Sequence, residues 1–297
     1  IKIGSNPFVL MRNEFPDAPI FKDPDYLSKY ILDGNGLNIL LQNYWMVIHP
    51  PVLFLGFAST TIPFAFAVAG LLKKDNNWID SALPWATFSA GIFGLGIMMG
   101  AAWAYESLTF GGYWAWDPVE NASLVPWLTL VAGIHTAMIY NKTGASLKAT
   151  YLFLGISFLL IVYSTFLTRS GILGDTSVHA FTDLGMNGQL LFFLFIFVIP
   201  FFVLYFVRYK HMQEPLKEDG IDSREFWMLI GSLVLVLSAA VIIIKTSTPV
   251  FNKIFDTKIA PPEDPEFAHN QVQIFVAIII GTLTAIGQFL KYKTTPL

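Results

Sequence analysis

The 297-residue chain contains no cysteine. That excludes disulfides, thiolate-bound zinc, iron–sulfur clusters and any thiol nucleophile of its own. Charge is scarce as well. Only 13% of residues are Asp, Glu, Lys or Arg, against roughly 25% in soluble domains. With 18 Lys plus Arg set against 21 Asp plus Glu, there is no basic excess to neutralise a phosphate backbone, so nucleic acid is not an expected partner. The sequence opens at Ile1 with no Met, no basic n-region and no small-residue cleavage site. No signal peptide accounts for membrane entry, and the numbering is expected to begin inside a longer protein. What the chain does have is 54% hydrophobic side chains, 27 Phe, 11 Tyr, 8 Trp and a mean hydropathy of +0.57. Its chemistry must therefore come from His, carboxylates, aromatics or a cofactor.

A bilayer core about 30 Å thick needs about 20 mostly apolar residues in helical form. Seven runs satisfy this, near Tyr44–Leu72, Ser81–Ala104, Val125–Tyr140, Lys148–Leu167, Gln189–Val207, Phe226–Ile244 and Gln271–Leu290. Each run is continuous rather than alternating, so helices are expected and not barrel strands. Lys73, Lys74, Lys142, Lys148, Arg208, Lys210, Lys217, Arg224, Lys291 and Lys293 all fall on one side of the resulting topology, which the positive-inside rule makes the inner side. The expected fold is an all-α polytopic transmembrane bundle. Residues 1–43 form an extracytoplasmic segment, residues 44–297 a membrane domain, and a tryptophan-rich loop at 105–124 lies on the outer side. Gly91, Gly94, Gly96 and Gly100 read as a helix-packing face.

Four of the eight tryptophans fall between Trp103 and Trp127. Two ordinary causes operate there: aromatic belts at the membrane interface, and a helix start in which Asp117 is the N-cap, Pro118 the first helical residue and Glu120 the capping-box partner. Trp114 and Trp116 beside Gly111 and Gly112 also suit an aromatic platform for a planar apolar ligand. Histidine is sparse, with five in all. His49 opens the first span and His179 lies in the next outer loop after the aromatic one. Two imidazoles across a flat ligand would make a bis-His axial site for haem iron, although each alone reads equally as an interfacial histidine. His135 sits about ten residues into a span, roughly 15 Å along it, where an ionisable group is a functional candidate or a hydrogen-bond partner of a neighbouring helix. Arg169, at the outer end of the fourth span, could pair with a carboxylate or simply snorkel. His269, at an outer helix start, has an ordinary interfacial reading.

Gly111-Gly112-Tyr113-Trp114-Ala115-Trp116-Asp117-Pro118-Val119-Glu120-Asn121-Ala122-Ser123 resembles the tryptophan-rich WWD motif of the haem-handling proteins of cytochrome c biogenesis, with Tyr113 where the motif usually has Trp. Its flanks resemble the haem lyase members of that family: Ser5-Asn6-Pro7-Phe8, His49-Pro50-Pro51, Pro126-Trp127 followed by His135, Thr168-Arg169-Ser170-Gly171 followed by Ser177-Val178-His179-Ala180-Phe181, and Pro249-Val250-Phe251-Asn252. The similarity runs from near residue 5 to near residue 255. It implies covalent attachment of haem b to the CxxCH thiols of apocytochrome c, with those thiols supplied by the substrate. His49 and His179 would hold the outer haem iron, and His135 a membrane b-type haem. Tyr113, Trp114, Trp116, Gly111, Gly112, Asp117 and Arg169 would bind the macrocycle. Asp117 and Glu120 would fix the loop rather than act as acids, and catalysis would be mainly positioning. The resemblance also implies a multi-pass protein of the bacterial inner membrane with its haem site on the periplasmic side. A haem chaperone and other maturation subunits are the implied partners, with further helices before and after the matching region. A haem export or delivery subunit, a respiratory b-haem or quinone subunit, and a plain helical scaffold are the competing readings.

Overall fold

The computed structural model describes residues 9–30, 36–108, 111–177, 185–214, 220–293 and 295. Every regular element among the described residues is helical. Two short helices, α1 (Met11–Glu14) and α2 (Tyr26–Lys29), precede the bundle. It is built from α3 (Tyr44–Ser59), α4 (Thr61–Lys73), α5 (Trp78–Ser107), α6 (Pro118–Thr143), α7 (Leu147–Arg169), α8 (Asn187–Arg208), α9 (Arg224–Thr246), α10 (Thr248–Phe255) and α11 (Pro265–Gly287). Among the described residues, seven stretches are long and apolar enough to cross a membrane. Each overlaps one of the seven sequence runs, and the protein is a multi-pass, all-helical membrane protein.

The first span differs from expectation in being two helices, α3 and α4, joined at Thr60. Pro63 has no N–H to give to the carbonyl four residues back, and its ring clashes there. Ser59 and Thr60 turn inward, donating their hydroxyls to Gly56 O at 2.8 Å and Phe57 O at 2.7 Å. Helix α6 starts where the sequence places it. The Asp117 carboxylate accepts from Val119 N at 2.8 Å and the Glu120 carboxylate accepts from Asp117 N at 3.0 Å, a reciprocal capping box.

Lipid is as apolar as the helix faces it would replace, so close packing rather than water exclusion holds such a bundle together. Helix α7 is its centre, packed on α6, α4 and α8, while α6 also packs against α5 and α9. Phe64 of α4, Phe158 of α7 and Phe201 of α8 interlock at ring separations of 4.5 and 5.7 Å. The cationic side closes helix ends. The guanidinium of Arg208 donates to Leu71 O at 2.9 Å and that of Arg224 to Gly287 O at 2.9 Å, each satisfying a terminal carbonyl with a positive charge at a helix C-terminus. At the opposite side the ends of α3, α5, α6, α7, α9 and α11 gather around the tryptophan loop. That side carries two of the three cavities described next.

Candidate functional site

The loop between α5 and α6 is made by backbone geometry. Gly111 and Gly112 take φ of 84° and 100°, a region closed to most side chains, so they turn the chain rather than merely leave room beside it. Trp116 also has a positive φ, 56°, which for a residue with a bulky side chain costs on the order of 1–3 kcal/mol and persists only when neighbours over-determine it. They do so here. The Asn121 amide donates to Trp116 O at 2.9 Å, the Trp116 indole N–H donates to Asn270 Oδ1 at 2.9 Å, and its ring stacks on His269 at 4.9 Å and 10°. Glu120 also accepts from Ala115 N at 3.0 Å, and Asp117 accepts from Ser177 Oγ at 2.7 Å. Both carboxylates thus serve the loop backbone and its neighbour. Tyr113 projects outward, half exposed.

On one face of this loop lies a cavity of about 300 Å³ lined by His49, Trp103, Trp114, Glu120 and Arg169 among others. His49 Nδ1 lies 2.8 Å from Gly96 O on α5. A carbonyl can only accept, so Nδ1 is the donor of that bond, the arrangement in which a metal would use the other ring nitrogen. A Cβ at Gly100 would come within 2.6 Å of His49 Cε1. The glycine row of α5 is therefore a packing face, as its spacing predicts, and also the seat of this imidazole. Trp103 tilts against the His49 ring at 6.0 Å. One turn on, Glu106 accepts from the Asn43 amide at 2.6 Å and the Trp45 indole at 3.0 Å, tying the start of α3 to the end of α5.

Trp114 and Trp116 do not form one platform. Their rings meet edge to face, 5.9 Å apart and at 89°, so a single flat ligand can lie against only one of them. Trp114 lines the His49 cavity. Trp116 lines a second cavity of about 400 Å³ on the other face of the loop, together with Asn121, Lys245 and His269. The loop and the first turn of α6 are the wall between the two. A third cavity, about 580 Å³, opens along α6, α9 and α11 beside His135. His135 Nδ1 lies 2.8 Å from Val131 O, one turn back on its own helix, and is the donor of that bond.

His49, Trp114 and Arg169 are thus brought together, Trp116 is turned away from them, and His135 stands in a separate intramembrane groove. His179 lies outside the described residues. Sequence reasoning gave Trp103 and Glu106 no role of their own, read Gly100 only as a packing residue, and gave His269 an ordinary interfacial role. The available signal for His269 was its place, in the first turn of a span starting on the same side as the tryptophan loop.

Fold and site together define an all-helical, multi-pass membrane protein with imidazoles in apolar cavities. The chain belongs to the cytochrome c assembly protein family, whose family model matches residues 8–173. It is 34% identical to the cytochrome c-type biogenesis protein CcmF of Pseudomonas fluorescens over 98% of this chain and 42% of that protein. It is 38% identical to CcmF of Escherichia coli over 76% of this chain and 35% of that one. A solved structure titled cytochrome c heme lyase CcmF superimposes with a TM-score of 0.65 at 30% identity, covering 86% of this chain and 38% of that chain. The chain therefore spans about two fifths of the length of the curated relatives it matches over nearly all of its own length.

Proposed function

We propose that this chain is the haem-holding part of a cytochrome c haem lyase, and that the complete protein attaches haem b to the CxxCH thiols of apocytochrome c. The observation that carries the reading is the His49 cavity: one imidazole set by its bond to Gly96 O, an indole, a guanidinium-bearing residue and apolar walls converge on one space. Haem fits that donor set: His49 would hold the iron, Arg169 would pair with a carboxylate of the group, and Trp114 would pack against the ring. About 300 Å³ is at the small end for a ligand site, which suits a macrocycle held by part of its surface with an edge left outside. His179, outside the described residues, would hold the iron together with His49.

In the bond-forming step each substrate S–H adds across a vinyl C=C. Sulfur bonds to the carbon next to the ring, the hydrogen ends on the outer vinyl carbon, and no electron is consumed. The bound haem supplies those vinyl groups. The chain's own residues would do the rest: His49 would hold the iron, Trp114 would orient the ring, and Asp117 and Glu120 hold the loop that carries Trp114. Such catalysis is positioning, for which a few ångströms of misplacement matter more than any acid or base. His135, in the apolar 580 Å³ groove, would hold a resident b-type haem through its Nε2, with a further ligand from elsewhere in the complete protein. The site faces the periplasmic side of a bacterial inner membrane, and a haem chaperone and other maturation subunits are its partners.

The test is replacement of His49 or His179 by Gly in the complete protein, followed by the haem absorbance spectrum and by cytochrome c assembly. Loss of the outer haem and of assembly is expected from each. Unchanged spectra and unchanged assembly would remove both residues from the role of axial ligand.

A further inference from the structure

We propose that Asn270, in the second turn of α11, is a positioning residue for the haem site: it holds the Trp116 indole on the far face of the tryptophan loop and so keeps Trp114 on the face of the His49 cavity. The proposal rests on the haem reading of that cavity. The Trp116 indole N–H donates to Asn270 Oδ1 at 2.9 Å, across 154 residues of sequence. An indole nitrogen can only donate, so the amide oxygen is the atom that must face it. His269, the preceding residue of α11, lies flat against the same ring at 4.9 Å and 10°. Two neighbours on α11 thus fix both the edge and the face of one indole.

The loop needs such a hold because its own backbone opposes it. Trp116 sits at a φ of 56°, strained for a side chain of that size, and the turn there is part of what carries its ring away from Trp114. The Asn121 amide secures the Trp116 carbonyl at 2.9 Å, and α11 secures the ring. That ring in turn meets Trp114 edge to face at 5.9 Å and 89°, an arrangement aromatic pairs favour, and Trp114 lines the His49 cavity. A line of contacts therefore runs from Asn270 through two indoles to the place where the macrocycle would pack. Its far end is itself anchored. Lys245 of α9 donates to Ala268 O at 2.6 Å and Ser238 of α9 donates to Gln273 Oε1 at 2.6 Å, on either side of the His269–Asn270 pair. His269 is the one buried side chain of α11, so this helix meets the rest of the described protein most closely where it grips the loop.

The test uses the complete protein. Asn270→Leu keeps the size of the side chain and removes the acceptor, Asn270→Asp keeps an acceptor oxygen, and Trp116→Phe removes the donor. Without haem, hydrogen–deuterium exchange over residues 113–118 should quicken in Asn270→Leu and stay at the wild-type rate in Asn270→Asp. Absorbance titration should show outer haem affinity about tenfold weaker in Asn270→Leu and within about twofold of wild type in Asn270→Asp. Asn270→Leu combined with Trp116→Phe should be no weaker than Trp116→Phe alone, since both changes remove the same bond. The His135 haem should be unchanged throughout. Wild-type outer haem affinity in Asn270→Leu would overturn the proposal. So would an Asn270→Asp variant as weak as Asn270→Leu, losses that multiply in the double variant, or loss of the His135 haem as well, the mark of a general loosening of the bundle. Quickened exchange in Asn270→Leu of a protein whose wild type takes up no outer haem would leave the hold on the loop standing and overturn the haem reading instead.

Discussion

Two imidazoles, at His49 and His135, each give the Nδ1 proton to a backbone carbonyl 2.8 Å away, but the carbonyls belong to different levels of the structure. His135 uses Val131, one turn back on its own helix, so any helix of this sequence reproduces the bond. His49 uses Gly96 on α5, 47 residues away, so its ring is set only when α3 and α5 are packed together. The surroundings differ too. His49 borders a cavity that also holds Glu120, Trp103, Trp114 and Arg169, while His135 faces a groove walled mostly by apolar residues of three helices. Such a difference suits a site that must exchange its ligand against one that keeps it.

The comparison breaks most visibly by deletion. His135→Ala should remove a b-type haem signal from the complete protein while leaving the outer haem in place; loss of both signals together would mean the two sites are not independent. It is sharpened by packing. Gly100→Val brings a side chain to within 2.6 Å of the His49 ring, and overpacking of about 1–3 kcal/mol expressed in ligand orientation is roughly a ten- to hundredfold loss of outer haem affinity. The same change should leave the His135 haem untouched, as absorbance titration of each site would show. Smallest is Asp117→Ala. It removes the N-cap of α6, worth about 1 kcal/mol, and should lower the melting temperature by about 2–4 °C, measured by differential scanning calorimetry, with neither imidazole bond disturbed.

The spans were legible because hydropathy over about 20 residues is a one-dimensional signal, and the start of α6 because Asp117, Pro118 and Glu120 act within one turn. The break at Thr60 was not, since Pro50 and Pro51 remain inside α3 while Pro63 coincides with a split; proline alone does not say which. Much of the site was legible as residue types; that His49, Trp114 and Arg169 line one cavity is visible only in the structure. The orientation of Trp116 was hidden, because it depends on Asn121, His269 and Asn270, and the last two stand more than 150 residues away. For the same reason the sequence gives no sign that His269 and the loop share a cavity.

The central claim, that His49 is an axial ligand of an outer haem, is tested most directly by chemical rescue. In His49→Gly the complete protein should lose the outer haem band, and free imidazole added to the purified variant should restore it by entering the space the side chain left. An outer haem band of wild-type intensity in the variant without imidazole would contradict the axial role of His49.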